Sequence, residues 1–411
     1  MKNRSSLYRR ILFVTVLLGL ILMGLGWANY RFSLNNPGGN DFLVHYIGTR
    51  AVLFDGISPY TDQVAEQIQT AAYGRPAQEG EHELRVAYPL YSVAVFAPFS
   101  LINEYPLARA VWMTTLEISL LAMTFVLFSL LDWEPDLWVQ GGLLFFSLTW
   151  YHAVRGLING NAVILITLLI SLVFLALKKG QDQAAGVMLA ATTIKPHLVI
   201  LLIPYLITWS IYHRRWKFIS WFSGSLAVLV FGGMLLMPDW ILQNIWEILR
   251  YPSYNPAGTL GEVLAGWLPG IAGQIRWGVT LTLTAVLLYE GWTTRREDFP
   301  RFLWTGMLIL AITQWIGIQT DPGNFIMLFP ALLMILAAWD KRWKKNGSWV
   351  IVLTLTLLLV GLWLLFALTV EDSYQPVQHP IMFIPLPAFI LIGLYWIRWW
   401  YALPVREIWD G

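Results

Sequence analysis

Apolar residues in this chain come in blocks of roughly 20, recurring from Ile11 to Trp400, and such a block in helical form crosses a hydrocarbon core about 30 Å thick. The expected fold is therefore an all-α polytopic membrane protein. Composition supports this, because 57% of residues are hydrophobic and only 13% charged, roughly half the charged share of a soluble domain. The 27 Lys and Arg against 25 Asp and Glu leave a net charge of +2, which gives no basic surface for a nucleic-acid partner. Cysteine is absent, which removes disulfides, thiolate catalysis, Cys-ligated zinc and iron–sulfur clusters. The 23 Trp and 17 Tyr suit two long boundaries between water and lipid.

The first block, Ile11 to Asn29, follows Lys2, Arg4, Arg9 and Arg10. Its apolar run is longer than that of a secretory signal, so it reads as a retained helix with a cytoplasmic N-terminus. Tyr30 to Pro106 is the most polar stretch, interrupted by the apolar segment Tyr88 to Ile102. That segment is short and carries Pro89 and Pro98, which fits an interfacial or re-entrant helix. Further spans are expected at Ala108–Leu131, Leu137–Tyr151, Ala162–Leu177, Ala184–Ile194, Leu198–Tyr212 and Phe218–Met237. Gln274–Tyr289, Phe302–Ile318, Phe325–Trp339, Trp349–Leu368 and Ile381–Trp400 bring the expectation to about twelve.

Alternate connections should carry the cations, and they do: Lys178 and Lys179; Arg214, Arg215 and Lys217; Arg295, Arg296 and Arg301; Lys341, Arg342, Lys344 and Lys345; then Arg398 and Arg406. A crossing by Tyr88–Ile102 would put every later cluster outside. The short acidic connection Asp132 to Asp136 is the one departure. Residues 1–411 then form one integral membrane domain in the cell membrane, with 30–106 as a large extracytoplasmic loop. His152–Asn161, Pro238–Gly273, Gln319–Asn324 and Glu371–Pro380 face the same way. Long loops on one face suit a protein that works on a substrate there.

No phosphate-binding loop, dinucleotide turn or D-x-D pair occurs in the chain. None of the 6 His falls at the spacing that puts two on one helical face for zinc, so neither a metal nor a cofactor is expected, with a carboxylate-held Mg²⁺ left open. Asp41 stands out in the run NDFLVHYIGTRAVLFDGISPY, where Phe42, Ile47, Ala51 and Phe54 approach helical spacing. A short amphipathic surface helix should open there, and Asp41 after Gly38 and Gly39 also reads as an ordinary N-cap. Asp55, before Gly56 and Ser58-Pro59, reads as a turn former.

The order of these pieces resembles glycosyltransferase family 87, the C-type membrane enzymes that use polyprenyl-phosphate sugars. DFLVHYIGTRAVLFDGISPY follows the first span, then come YPLYSVAVFAPFSLI, GNAVILITLLISLVFLALKKGQDQAAGVMLAATTIKPHLVILLIPYLI and DPGNFIMLFPALL, covering Asp41 to Leu333. Leu90 replaces the second Pro of the family's Tyr-Pro-Pro element, and Asp321 and Asn324 fall where members frequently carry a His. The resemblance implies a C-type fold and inverting transfer of a hexose, mannose first among them, to a lipid or envelope glycan on the outer face. It also implies that an Asp in the first outer loop is the base, which makes Asp41 the catalytic candidate.

The leaving group in such a transfer is already an ionised phosphate, so it needs cations or amide donors rather than an acid. Lys195, before Pro196 at the end of a short apolar helix, is the first candidate, with snorkelling to headgroups as the alternative. His197, Arg155, Asn161, Tyr88 and Asp55 complete the substrate-binding candidates. Each has a plainer alternative: a structural His, a lipid-phosphate contact for Arg155, and an N-cap at Asn161 for the helix after it. Trp240, Trp246 and Trp267 read as sugar-stacking or interfacial residues. The rival functions are a sugar-lipid transporter or flippase, and a non-catalytic membrane assembly partner.

Overall fold

A computed structural model describes residues 2–254, 258–316, 321–343, 346–370 and 378–401, and these contain helices but no strand. Lys344, Lys345, Arg406, residues 319–320 of the expected outward stretch 319–324 and residues 371–377 of that at 371–380 lie outside the described residues. Helix α1 (Lys2–Asn35) leads to α2 (Asn40–Arg50), which runs into a π turn at Ala51–Asp55, and then to α3 (Asp62–Tyr73). A 3₁₀ turn at Leu90–Ser92 opens α4 (Val93–Ser100). Next come α5 (Tyr105–Leu131), α6 (Leu137–Thr149), α7 (Tyr151–Asn159), α8 (Val163–Lys178), α9 (Asp182–Thr192) and α10 (Leu202–Tyr212). Then follow α11 (Trp216–Leu236), α12 (Trp240–Tyr254), α13 (Leu260–Trp267), α14 (Ala272–Thr294) and α15 (Phe299–Ile316). A 3₁₀ stretch at Pro322–Leu328 precedes α16 (Phe329–Trp343), and α17 (Gly347–Thr369) and α18 (Pro385–Tyr401) complete the bundle.

Among the described residues seven helical stretches are long and apolar enough to cross a membrane, and eight if α7 and α8, bent by 118° between them, count as one broken span. The expected spans at Leu137–Tyr151, Ala184–Ile194 and Leu198–Tyr212 are helices of 13, 11 and 11 residues. At about 1.5 Å per residue these reach 20 Å or less, short of a full crossing. Elsewhere apolar character serves protein packing: α15 is buried from Phe302 to Trp315, and the most apolar window of Pro322–Trp343 is wholly enclosed. The segment expected to be interfacial folds as the short pair Leu90–Ser92 and α4.

Helices α9 and α11 approach so closely that a Cβ on Gly186 would stand 2.7 Å from the Phe218 carbonyl oxygen and 2.7 Å from the Phe222 amide nitrogen. At one end of the bundle the cations cap helix C-termini: Lys178 Nζ donates to the Leu130 carbonyl at 2.8 Å, Lys341 Nζ to that of Leu131 at 3.2 Å, and Arg215 Nη1 to that of Leu177 at 2.8 Å. Helix α8 starts at the other end, where α2, α7 and the 3₁₀ stretch Pro322–Leu328 meet.

Candidate active site

Helix α2 opens without a side-chain cap. Its N-cap is Gly39 in the left-handed region (φ 78, ψ 42), and Asp41 lies in the first helical turn rather than at the cap expected for it. Gly39 is required twice over, because a Cβ there would fall 2.5 Å from Arg109 Nε. Buried Arg109 ties the neighbouring chain together, donating to the Asn36 carbonyl at 2.6 Å and the Ile158 carbonyl at 2.8 Å. The next residue, Phe42, is fully buried and stacks on Trp112 at 5.8 Å and Tyr105 at 5.9 Å. Helix α2 is thereby fixed in place while the Asp41 carboxylate stays free of its own helix.

The break between α7 and α8 is built on Gly160, at φ 71, where a Cβ would lie 2.5 Å from that of Phe42. Its carbonyl accepts from Trp112 Nε1 at 2.8 Å. Asn161 follows and serves two partners, its Oδ1 accepting from the Val163 amide at 3.0 Å and from Lys195 Nζ at 2.9 Å. The N-cap of α8 is Ala162 rather than Asn161, which stands one residue earlier and holds the first turn and the lysine together.

Lys195 is only 7% exposed and does not snorkel. Its ammonium also donates to Asn324 Oδ1 at 2.8 Å and stands 5.6 Å from the centre of the Tyr88 ring. An ammonium carries three N–H donors, so two amide oxygens leave one for another acceptor. Burial pushes the Lys195 ammonium down to about 8, against the pull of Asp41 and Asp321. Burial pushes the Asp41 carboxyl up, with Asp321 adding to the rise and Lys195, Arg155 and a hydrogen bond with Asn161 opposing it. Carboxylate and ammonium therefore share one polar cluster, each with its pKa displaced toward neutrality.

Arg155 pairs with Asp321 at 3.2 Å, and Asp321 Oδ1 accepts from the Gly323 amide at 2.5 Å. The Gln378 carboxamide, turned oxygen-first, accepts from Arg155 Nη1 at 2.7 Å and from the Tyr151 hydroxyl. The two halves adjoin, since a Cβ on Gly323 would lie 3.6 Å from Asn161 Nδ2 and 3.8 Å from Arg155 Nε. Burial and the nearby Lys195 push His197 down to about 3, which makes it a neutral N–H donor rather than a second cation. His45 is likewise pushed down to about 3 by burial and Lys195, and its ring stacks on Phe96 at 4.4 Å and lies tilted against Tyr88 at 4.0 Å.

The structure thus brings together Asp41, Tyr88, Arg155, Asn161, Lys195 and His197. Asp55 is exposed at the end of the π turn, before Gly56 at φ 64, and shares no interaction with the cluster. Trp240 is buried against Tyr91, while Trp246 and Trp267 are exposed. Sequence reasoning did not find the holding roles of Asn324 and Gln378, nor Arg109. It also missed a buried ion pair in which Arg85 meets Glu247 at 2.8 and 3.0 Å and Asp62 at 2.7 Å. Among the described residues, no three of His, Cys, Asp or Glu come together as metal ligands.

Residues 87–316 match the family model for Glycosyltransferase family 87. No curated protein and no solved structure matches the chain. The matched stretch holds Tyr88, Arg155, Asn161, Lys195 and His197, whereas Asp41 lies before it and Asp321 and Asn324 just after. With that match spanning more than half of the 411 residues of an all-helical membrane chain, the protein belongs to glycosyltransferase family 87.

Proposed function

We propose that this glycosyltransferase moves a hexose, mannose in the first instance, from a polyprenyl-phosphate sugar to a hydroxyl of a lipid or envelope glycan, with inversion, at the outer face of the cell membrane. The N-terminus is then cytoplasmic, and the end of the bundle holding Asp41 opens to the other side. The single observation behind this reading is that a part-buried carboxylate, Asp41, and a buried ammonium, Lys195, lie in one cluster. Asp41 takes the proton of the acceptor hydroxyl as its oxygen attacks the anomeric carbon. The bond from that carbon to the phosphate oxygen breaks, and the electron pair leaves with the phosphate. Lys195, with one N–H to spare, meets the charge that develops there. Asn161 and Asn324 position the ammonium, and Arg155, His197 and Tyr88 line the same cluster.

The test is sugar transfer by purified protein in nanodiscs, with radiolabelled polyprenyl-phosphate mannose and a panel of lipid acceptors. Asp41→Asn should lower transfer by about 100-fold or more, the worth of a positioned base, while the protein stays folded. Transfer that survives the change would move the base elsewhere, with Asp321, the other carboxylate of the cluster, next to be tested. Donor binding without transfer, indifferent to Asp41→Asn, would favour a flippase or an assembly partner.

A further inference from the structure

We propose that α12 lies along the membrane surface, with its apolar face in lipid and its polar face clamping the segment that carries Tyr88. The helix is amphipathic in the reverse sense to a helix on a soluble protein. Leu242, Ile245, Trp246 and Leu249 are 64%, 46%, 70% and 65% exposed, and their spacing puts them on one stripe. On the opposite side Trp240, Asn244 and Glu247 are buried. Asn244 Nδ2 donates to the carbonyls of Ala87 and Tyr88 at 3.0 and 3.3 Å, and Glu247 takes the bidentate pair from Arg85. Gln243 meets the Ser58 hydroxyl between these faces.

Water does not hold four large apolar side chains in a continuous exposed stripe while polar groups turn inward. Continuity identifies the occupant as lipid. Helix α11 qualifies as a membrane span and ends on Leu235 and Leu236, 88% and 57% exposed, with three residues between its end and the start of α12. The stripe therefore extends a surface already facing acyl chains. At 15 residues, about 22 Å, α12 is too short to cross and long enough to lie in the headgroup plane. Lipid that holds the apolar face then holds the Tyr88 backbone through Asn244. The membrane placement stands independently of the transfer mechanism, and the coupling to Tyr88 rests on the reading of the Asp41–Lys195 cluster as the transfer site.

The absence of cysteine makes single-cysteine labelling clean. Spin labels on Trp246→Cys and Leu249→Cys would be compared with Leu235→Cys as a lipid reference and Glu79→Cys as a water reference. All are reconstituted in phosphatidylethanolamine–phosphatidylglycerol liposomes and tested for relaxation by oxygen and by a water-soluble nickel chelate. The labels at 246 and 249 should follow Leu235→Cys, relaxed by oxygen and shielded from nickel. Nickel access equal to that of Glu79→Cys would overturn the placement. Label–label broadening that vanishes on dilution with unlabelled protein would also overturn it, in favour of a second copy. Asn244→Leu should leave label depth unchanged and lower transfer about five-fold, as the loss of one hydrogen bond does. Unchanged transfer would sink the coupling, and lipid-like depth without transfer in the parent protein would separate failure of the catalytic reading from failure of this one.

Discussion

Replacing Asn324 tests whether Lys195 acts through its charge or merely through the packing around it. Two amide oxygens hold the ammonium, Asn161 Oδ1 at 2.9 Å and Asn324 Oδ1 at 2.8 Å. Asn324→Leu keeps the branched shape and removes one acceptor from a buried cation. A hydrogen bond to a charged group is worth about 1.5–3 kcal/mol, so if the ammonium must be held in place for transfer, kcat/KM should fall about 10- to 150-fold. Asn324→Asp separates the explanations. It restores an acceptor at the same distance, and so the packing, but sets a full negative charge against the ammonium and cancels the field that the departing phosphate would feel. The expected result is a thermal unfolding midpoint near wild type, with transfer at least as low as in Asn324→Leu. The assay is initial-rate transfer from a polyprenyl-phosphate sugar, with unfolding followed in the same detergent. Wild-type kcat/KM in Asn324→Asp would refute the electrostatic role and leave Asn324 as a packing residue.

Transfer should follow a bell in pH. Its acid limb falls as the raised Asp41 carboxyl is protonated and can no longer take a proton, and its alkaline limb falls as Lys195 loses its charge near pH 8. Lys195→Arg should carry the alkaline limb upward, and a profile flat through pH 8 in wild type would count against Lys195. Glu247→Ala leaves buried Arg85 with Asp62, the Tyr60 carbonyl and Glu83 at 4.0 Å, and should cost about 3 kcal/mol in denaturation, the low end for breaking a buried pair. Gly186→Ala drives a Cβ against the α11 backbone and should destabilise by about 1–3 kcal/mol. Gly224→Ala, with nothing within 4 Å of the added Cβ, should be neutral or stabilising by up to about 1 kcal/mol. Equal effects at the two glycines would contradict the close approach of α9 and α11.

An ionisable group in apolar surroundings was legible in the sequence, which is why Lys195 emerged from it, whereas Asp41 emerged through its place in the family's order of motifs. What held them was not legible. Asn324 meets Lys195 across 129 residues and Glu247 meets Arg85 across 162, and no local pattern encodes such a pairing. Asp41 has the residue type and place of a cap, yet the left-handed Gly39 takes that position because Arg109 packs against it. Hydropathy overstated the number of spans for a related reason. It registers removal from water and does not distinguish lipid from protein, so short α6 and enclosed α15 look alike. Asp55 drew attention by its place in the Asp41 run, and its exposure leaves it the turn it also resembled.

The stretch Pro322–Trp339, buried at every residue, bears on how the enzyme is made. Helices enter a bilayer surrounded by lipid and associate through close packing, since acyl chains supply no hydrophobic drive between them. This stretch must exchange all of its lipid neighbours for protein, and it is the one that carries Asn324 to Lys195. Part of its enclosure comes from α18, which also ties to α15 through Trp304 Nε1 and the Leu394 carbonyl at 2.8 Å. On the proposed mechanism, an inserted but unfinished bundle would hold Asp41 and Lys195 without the Asn324 oxygen, one of the two that fix the ammonium.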